Sequence, residues 1–221
     1  MTVCDLIDDM LDFDLTRLTC IYLVYFCESV FDSSKPTKRN MKLEHFPEVN
    51  SWIESLTEPI PLKAVENETS QASLQAVIDN RREIRGTRLE AVLWLRIGMI
   101  DRPHELVQHG SNAMDCYLHG VVHRLEGDFW NSKYWFRQII DKSLLESISS
   151  EVTTQLIGLN EIEAARHLEI VDDCCKFSAS HLVDACEGLN QGNHKNELKF
   201  SLLQLVCSFE WKALLERCFL D

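Results

Sequence analysis

The chain has 221 residues, of which 45% are hydrophobic and 26% charged, and its formal net charge is −13. This balance is typical of a globular protein with a sizeable core and excludes wholesale disorder, while the acidic charge argues against nucleic acid and anionic membranes as partners. The small numbers of glycines and prolines, 8 and 5, favour helices over a turn-rich β-fold.

The cysteines and the N-terminal sequence predict a reduced, cytoplasmic protein. Nine cysteines occur without a Cys-x-x-Cys pair or a zinc-ribbon spacing, so we expect free, largely buried thiols. Five aspartates by Asp14 are the opposite of the basic start of a signal peptide. The apolar run from Leu18 to Phe31 contains Glu28 and is too short to span a bilayer, so we predict a buried helix there.

The first third of the chain is predicted to hold helices separated by loops. The segment "DSSKPTKRN" interrupts the helical pattern after Phe31, and a short helix is expected around Glu48 to Leu56, ended by the prolines of "TEPIPLK". The stretch from Val65 to Ser73 is polar and expected to be exposed. We therefore predict an N-terminal helical appendage with loops over residues 1–73 and a helical core domain over residues 74–221.

The core domain is predicted to begin with two helical hairpins. In "TRLEAVLWLRIGMIDRPHELVQHG", Gly98 marks the end of one helix and Asp101 caps the next. In "NAMDCYLHGVVHRLEGDFWNSKYWFRQII", Gly127 ends a helix that starts near Asn112, and Asp128 caps the following one. The second helix of this hairpin is expected to bury its apolar residues, which are Phe129, Phe136, Ile139 and Ile140.

The rest of the chain is predicted to be helical as well. We expect a helix from Glu151 to Leu168, one or two helices in "EIVDDCCKFSASHLVDACEGL", and a final helix from about Lys195 to Phe219 with Phe200 on its apolar stripe. Convincing strand alternation is absent from the sequence. The predicted fold class is all-α, with antiparallel helical hairpins forming a bundle or a short tetratricopeptide-like superhelix.

The segment "HGVVHRLEGDFWNSKYWFR", residues 119–137, concentrates the polar and aromatic side chains expected at a functional site. His119 and His123 are one helical turn apart, so their imidazoles can meet a common ion, water or substrate. A hairpin would bring the polar face of the next helix towards them. The candidate ligand-binding residues are His119, His123, Arg124, Glu126, Asn131, Lys133, Tyr134, Trp135 and Arg137.

Three interpretations of this segment stay open on the sequence. A metal site would need a third ligand such as Glu126 or His104, and the glutamate that follows the first histidine in zinc proteases is replaced by Gly120. Acid–base chemistry would pair His123 with Glu126 or Asp128. In the third interpretation the polar groups only pair with one another inside the hairpin, and the aromatics serve packing or protein contacts.

This hairpin resembles two known patterns. Gly120, Gly127, Ser132 and Phe136 have the spacing of the small and aromatic positions in a tetratricopeptide unit, although a run of consensus repeats is absent. The residues of "HGVVHRLEGD" and "NSKYWFR" also resemble a family of uncharacterised helical proteins of bacteria and fungi, and the likeness extends over about residues 89–218. The resemblance implies a helical fold and the same site location, but no activity.

The sequence thus predicts an interaction or small-ligand-binding module that uses a polar and aromatic groove around residues 119–137. Its partner would be a protein or a small polar ligand. The alternative is an enzyme that acts on a small polar substrate by histidine and glutamate acid–base chemistry, with or without the help of a metal ion. No nucleophile motif or phosphate-binding loop is present, so the sequence assigns no catalytic residue and no cofactor.

Overall fold

The computed structural model describes residues 45–191 and 197–219. Within them the chain forms ten α-helices and a short 3₁₀ turn at Arg82–Ile84. The helices are α1 Pro47–Glu54, α2 Glu68–Asn80, α3 Arg88–Arg96, α4 Asp101–Val107, α5 Ala113–Glu126, α6 Phe129–Arg137, α7 Lys142–Gly158, α8 Ile162–His167, α9 Ala179–Gln191 and α10 Glu197–Arg217. The predicted helix that ends at Phe31 and the loop after it lie outside the described residues.

The prediction of an all-α fold is confirmed for the described part of the chain. An isolated β-bridge between Val171 and Phe177 is the single piece of β-pairing found there. Sequential helices pack as neighbours: α3 on α4, α4 on α5, and α5 on α6. The last helix, α10, packs against both α3 and α7, while α9 contacts α6. No helix in residues 45–191 and 197–219 is long and apolar enough to cross a membrane.

Residues before position 74 contribute to the same core as the later helices. Val49 and Ile53 of α1 are fully buried, and Ile60 in the following loop is nearly so. They join one hydrophobic cluster with α3 and α10 residues such as Leu93 and Leu203. Helix α2 starts at Glu68, inside the stretch predicted to be an exposed polar segment, because Asn67 caps it by accepting a hydrogen bond from the Ser70 amide.

The α5–α6 hairpin forms where local capping signals predict it. The Asn112 side chain accepts a hydrogen bond from the Asp115 amide and caps the start of α5. Gly127 ends this helix with φ of +86°, a left-handed conformation that glycine adopts without strain. Asp128 then caps α6 by accepting a hydrogen bond from the Asn131 amide at 3.2 Å. The two helices are thereby fixed as consecutive neighbours.

Several element boundaries differ from the predictions. The helix predicted from Glu151 to Leu168 is two helices, α7 and α8, because Asn160 turns the chain with a positive φ of 61°. Asp101 is the first residue of α4 rather than its cap, a position held by Ile100. Ile140 was expected to be buried but is 93% exposed, because α6 ends at Arg137.

The final helix also departs from its predicted apolar stripe at one position. Phe200 is 43% exposed, whereas Leu203, Val206 and Trp211 further along the helix are buried as expected. The buried residues of α10 run from Leu202 to Leu215, and the helix packs against α3 and α7.

Gly120 allows close contact between α5 and α6, and we expect Gly120→Ala to destabilise the fold. A Cβ atom there would lie 2.8 Å from Cε1 of the buried Phe136 ring, and Ser132 Oγ already donates to the Gly120 carbonyl at 2.6 Å. The clash should lower the free energy of unfolding by about 1–3 kcal/mol in urea denaturation, despite the better helix propensity of alanine.

Gly188→Ala is the matched control for that substitution. Gly188 also lies in a helix, α9, but its Cβ would meet only the flexible end of Lys199, at 3.3 Å. This variant should be neutral or up to about 1 kcal/mol more stable. Equal effects of the two substitutions would contradict a special role of Gly120 in helix packing.

Candidate ligand-binding site

Three histidines from two neighbouring helices meet at one point on the structure. His104 lies on α4, and His119 and His123 lie one turn apart on α5. The Nε2 atoms of His104 and His119 are 2.9 Å apart, and the rings of His119 and His123 are stacked with centroids at 4.7 Å. One ligand atom from each of the three residues lies within 4.8 Å of the others. We call these three residues the histidine cluster.

Helix α6 covers the histidine cluster with an aromatic ring and an amide. The Trp135 ring stacks on His119 with centroids 4.0 Å apart and an angle of 20° between the planes. Nδ2 of Asn131 is 3.1 Å from Nε2 of His123. Tyr134 supports Trp135 by an edge contact at 5.6 Å. The α5–α6 hairpin therefore brings its two polar faces together, as the sequence predicts.

The Glu126 carboxylate determines which ring nitrogen of His123 carries the hydrogen. Oε2 of Glu126 is 2.6 Å from Nδ1 of His123, and Glu126 is the next residue on the same face of α5. An ionised carboxylate can only accept a hydrogen bond, so Nδ1 carries the hydrogen in the neutral ring. The lone pair of His123 is then on Nε2, where the Asn131 amide donates to it. Of the two acids predicted to lie near His123, the structure selects Glu126 over Asp128.

The electrostatic environment keeps His119 uncharged at neutral pH. His119 is only 4% exposed, and this burial, together with the neighbouring imidazoles of His123 and His104, lowers its pKa to about 4. Its Nδ1 atom is buried and makes no hydrogen bond within the described part of the chain. A neutral imidazole has a free lone pair on one nitrogen, so this ring can act as a ligand for an electron-pair acceptor.

Two of the predicted site residues are held in ion pairs elsewhere. Arg124 points into the core, where both of its terminal nitrogens bind the carboxylate of Glu210 on α10. Lys133 pairs with Asp184 and lies 3.7 Å from Glu187, both on α9. Arg124 and Lys133 are therefore paired inside the protein, as the third interpretation of the segment predicts for its polar groups. Their partners, however, lie on α10 and α9 and not within the hairpin.

Three side chains of α6 are exposed on the side of the helix that faces away from the core. They are Trp130, Tyr134 and Arg137. Trp130 is 73% exposed and stacks on the exposed Tyr134 at 6.2 Å between centroids. Arg137 is exposed in the last turn of α6. The structure therefore brings together His119, His123, Glu126, Asn131 and Trp135, with Tyr134 at the margin. It separates them from Arg124, Lys133 and Arg137.

His104 completes the histidine cluster, and the sequence offered it only as one of two alternative third ligands. It lies in another helix, 15 residues before His119, and helical periodicity relates residues within one helix only. The feature of the sequence that could have indicated His104 is the short turn between α4 and α5, since short connections place consecutive helices side by side. This argument identifies the neighbouring helix but not the residue on it.

Comparisons of the chain with protein-family models, with curated proteins and with solved structures gave no match. The likeness to uncharacterised helical proteins and to a tetratricopeptide unit consequently stays a prediction, and the chemistry of the histidine cluster is the guide to function.

Proposed function

We propose that this protein is a small-ligand-binding module and that its ligand binds at the histidine cluster. The observation that carries the proposal is the convergence of His104, His119 and His123 at nitrogen–nitrogen distances within 4.8 Å. Imidazoles packed this closely offer several lone pairs and N–H groups to one small ligand, which can accept the lone pairs or bind the N–H groups.

The dimensions of the site favour a small ligand over a protein surface. His119 and His123 are 4% and 7% exposed, and Trp135 lies directly on the His119 ring. A protein partner would contact exposed side chains, whereas the imidazoles of His119 and His123 are almost fully buried. His104 is half-buried and is the most exposed of the three histidines.

The test is a titration of the full chain, with ¹⁵N-labelled histidines, by a fixed set of probes. The probes are zinc ions, acetate and inorganic phosphate, and the readouts are the histidine side-chain NMR signals and the melting temperature. At least one probe should shift the His119 and His123 signals and raise the melting temperature, because a ligand that binds only the folded state stabilises it. If no probe does so, the proposed function is wrong.

His181→Gln and His119→Gln make a matched pair for this titration. His181 is exposed on α9, far from the cluster in sequence, and its loss should leave the response unchanged. His119→Gln should abolish the response, and circular dichroism checks that the variant folds.

An enzymatic function is the second candidate, and the Glu126–His123 pair favours it. A carboxylate that orients an imidazole is a recurring element of acid–base and metal-assisted catalysis. In this alternative His123 exchanges a proton with a small polar substrate through Nε2. Turnover of a substrate that Glu126→Gln slows without weakening its binding would support this alternative over simple binding.

The sequence predicts a protein partner for the same groove around residues 119–137, and the exposed aromatic residues of α6 are the part of it that a protein could contact. Trp130 and Tyr134 form an exposed stacked pair on the outer side of α6, and exposed Trp and Tyr side chains often dominate protein interfaces. Trp130→Ala should leave the probe titration unchanged if this surface and the histidine cluster act independently.

A further inference from the structure

Within the proposed ligand-binding function, we infer that the ligand is a divalent transition-metal ion, with zinc the best fit, bound by the imidazoles of His104, His119 and His123. Imidazole nitrogen is a preferred donor for zinc, and three histidines with one open position are an established kind of zinc site. The ligand set comes from two helices that pack directly on each other.

The contact between His104 and His119 is already close to the spacing that a bound metal ion requires. Their Nε2 atoms are 2.9 Å apart, so one of these nitrogens carries a hydrogen that the other accepts. A metal ion can take the place of that shared hydrogen and bind both lone pairs once the donating ring shifts its hydrogen to Nδ1, so that each ring keeps one hydrogen. Ligands on a tetrahedral zinc ion are roughly 3.3 Å apart, given zinc–nitrogen bonds of about 2.0–2.1 Å.

The third ligand needs only a small adjustment. The widest separation within the cluster is 4.8 Å, so one ring has to move by roughly 1.5 Å to reach the spacing of a tetrahedral site. Rotation of the His104 side chain is the easiest route, because this residue is half-buried while the other two are held by α6. Nε2 of His123 would exchange its hydrogen bond with Asn131 for a bond to the ion.

Glu126 is the positioning residue that a histidine-bound metal requires. Metal-binding histidines usually donate their second N–H to a carboxylate, which fixes the ring and raises the basicity of the ligand nitrogen. His123 has this arrangement already, with its Nδ1 at 2.6 Å from Glu126. The carboxylate also provides negative charge beside three neutral ligands, which offsets part of the double positive charge of the ion.

The buried Nδ1 of His119 is an independent indication that the cluster is incomplete without a ligand. A buried polar atom that makes no hydrogen bond is destabilising, and such atoms are uncommon in folded proteins. His119 is among the buried atoms of this kind in residues 45–191 and 197–219. In the tautomer whose Nε2–H donates to His104, this Nδ1 atom carries an unpartnered lone pair, which is a second electron-pair donor that the ring can offer to an ion.

The experiment uses the full chain after removal of metal by a chelator. Zinc and cobalt ions are titrated by calorimetry, the bound metal is counted by elemental analysis, and magnesium serves as the control because it prefers oxygen ligands. We expect one zinc ion per chain and no binding of magnesium. The cobalt complex should show a visible spectrum of nitrogen coordination in a tetrahedral site.

Three variants locate the ion. His104→Gln should weaken zinc binding by at least about 100-fold, and Glu126→Gln by about 10- to 100-fold, the usual effect of losing a carboxylate behind a metal ligand. His109→Gln is the matched control, because this histidine is exposed and follows α4 by only a few residues. Since His104 and Glu126 are both partly exposed, these variants are expected to fold, which their melting curves will show.

The outcomes separate this inference from the proposed function. If acetate or phosphate shifts the His119 and His123 signals while zinc does not bind, the metal inference is wrong and the small-ligand function stands. If zinc binds equally well to His104→Gln, or if the cobalt spectrum shows a thiolate charge-transfer band from the cysteines, the inference is also overturned. If no probe acts on the cluster, both proposals fail together.

Discussion

Replacement of Glu210 by glutamine is expected to lower the free energy of unfolding by about 3–5 kcal/mol, the largest effect among the substitutions considered. Glu210 on α10 is 1% exposed and accepts hydrogen bonds from both terminal nitrogens of Arg124 and, at 2.8 Å, from the hydroxyl of Tyr117. Burial by itself lowers the pKa of Arg124, but the adjacent Glu210 carboxylate reverses this and raises that pKa well above its usual value. Arg124 therefore stays charged and would be left buried without a counter-ion.

Urea denaturation at neutral pH measures this loss, and two further variants test its cause. Asp184→Asn removes the partner of Lys133 on the surface, where the carboxylate is 56% exposed, and should change stability by at most about 1 kcal/mol. The triple variant Tyr117→Phe, Arg124→Met and Glu210→Leu replaces the whole buried group by apolar side chains and should recover much of the lost stability. A Glu210→Gln variant as stable as the natural chain would show that the ion pair contributes nothing.

The contrast between Arg124 and its neighbour His123 shows what the sequence could predict. The α5–α6 hairpin follows from local features, the Asn112 cap, the left-handed Gly127 and the Asp128 cap, which act within a few residues. The side of α5 that Arg124 faces depends on α10, because its partner Glu210 lies 86 residues further along the chain. The helical periodicity of α5 does not show which neighbouring helix Arg124 will contact. The sequence therefore places Arg124 among the candidate site residues together with the histidines.

The histidine cluster was predictable only in part for a similar reason. His119 and His123 lie on one helix, where 3.6 residues per turn place them on the same face, and Glu126 continues that face. The third histidine comes from α4, and its contact with His119 depends on how two helices pack. Helix packing is decided by the shapes of many side chains together, which the spacing of residues in one sequence does not reveal.

Acidification is expected to lower the stability of the chain by about 3 kcal/mol through His119 alone as the pH falls from about 6.5 to about 4. The unfolded chain binds a proton to this residue near pH 6.5, whereas burial and the neighbouring imidazoles of His123 and His104 delay this to about pH 4 in the folded state. Between these values the unfolded state holds the extra proton, so stability rises with pH. The gap between 6.5 and about 4 corresponds to about 3 kcal/mol, at about 1.4 kcal/mol for each pH unit.

Urea denaturation of the metal-free chain at several pH values between 7 and 4 measures this dependence. Carboxylates titrate in the lower part of the same range, so the natural chain is compared with His119→Gln, in which they are retained and only the imidazole is lost. The variant should lose less stability on acidification, by about 3 kcal/mol, whereas His181→Gln should follow the natural chain because its imidazole is exposed. Parallel curves for the natural chain and His119→Gln would mean that His119 binds a proton as readily in the folded chain as in the unfolded chain.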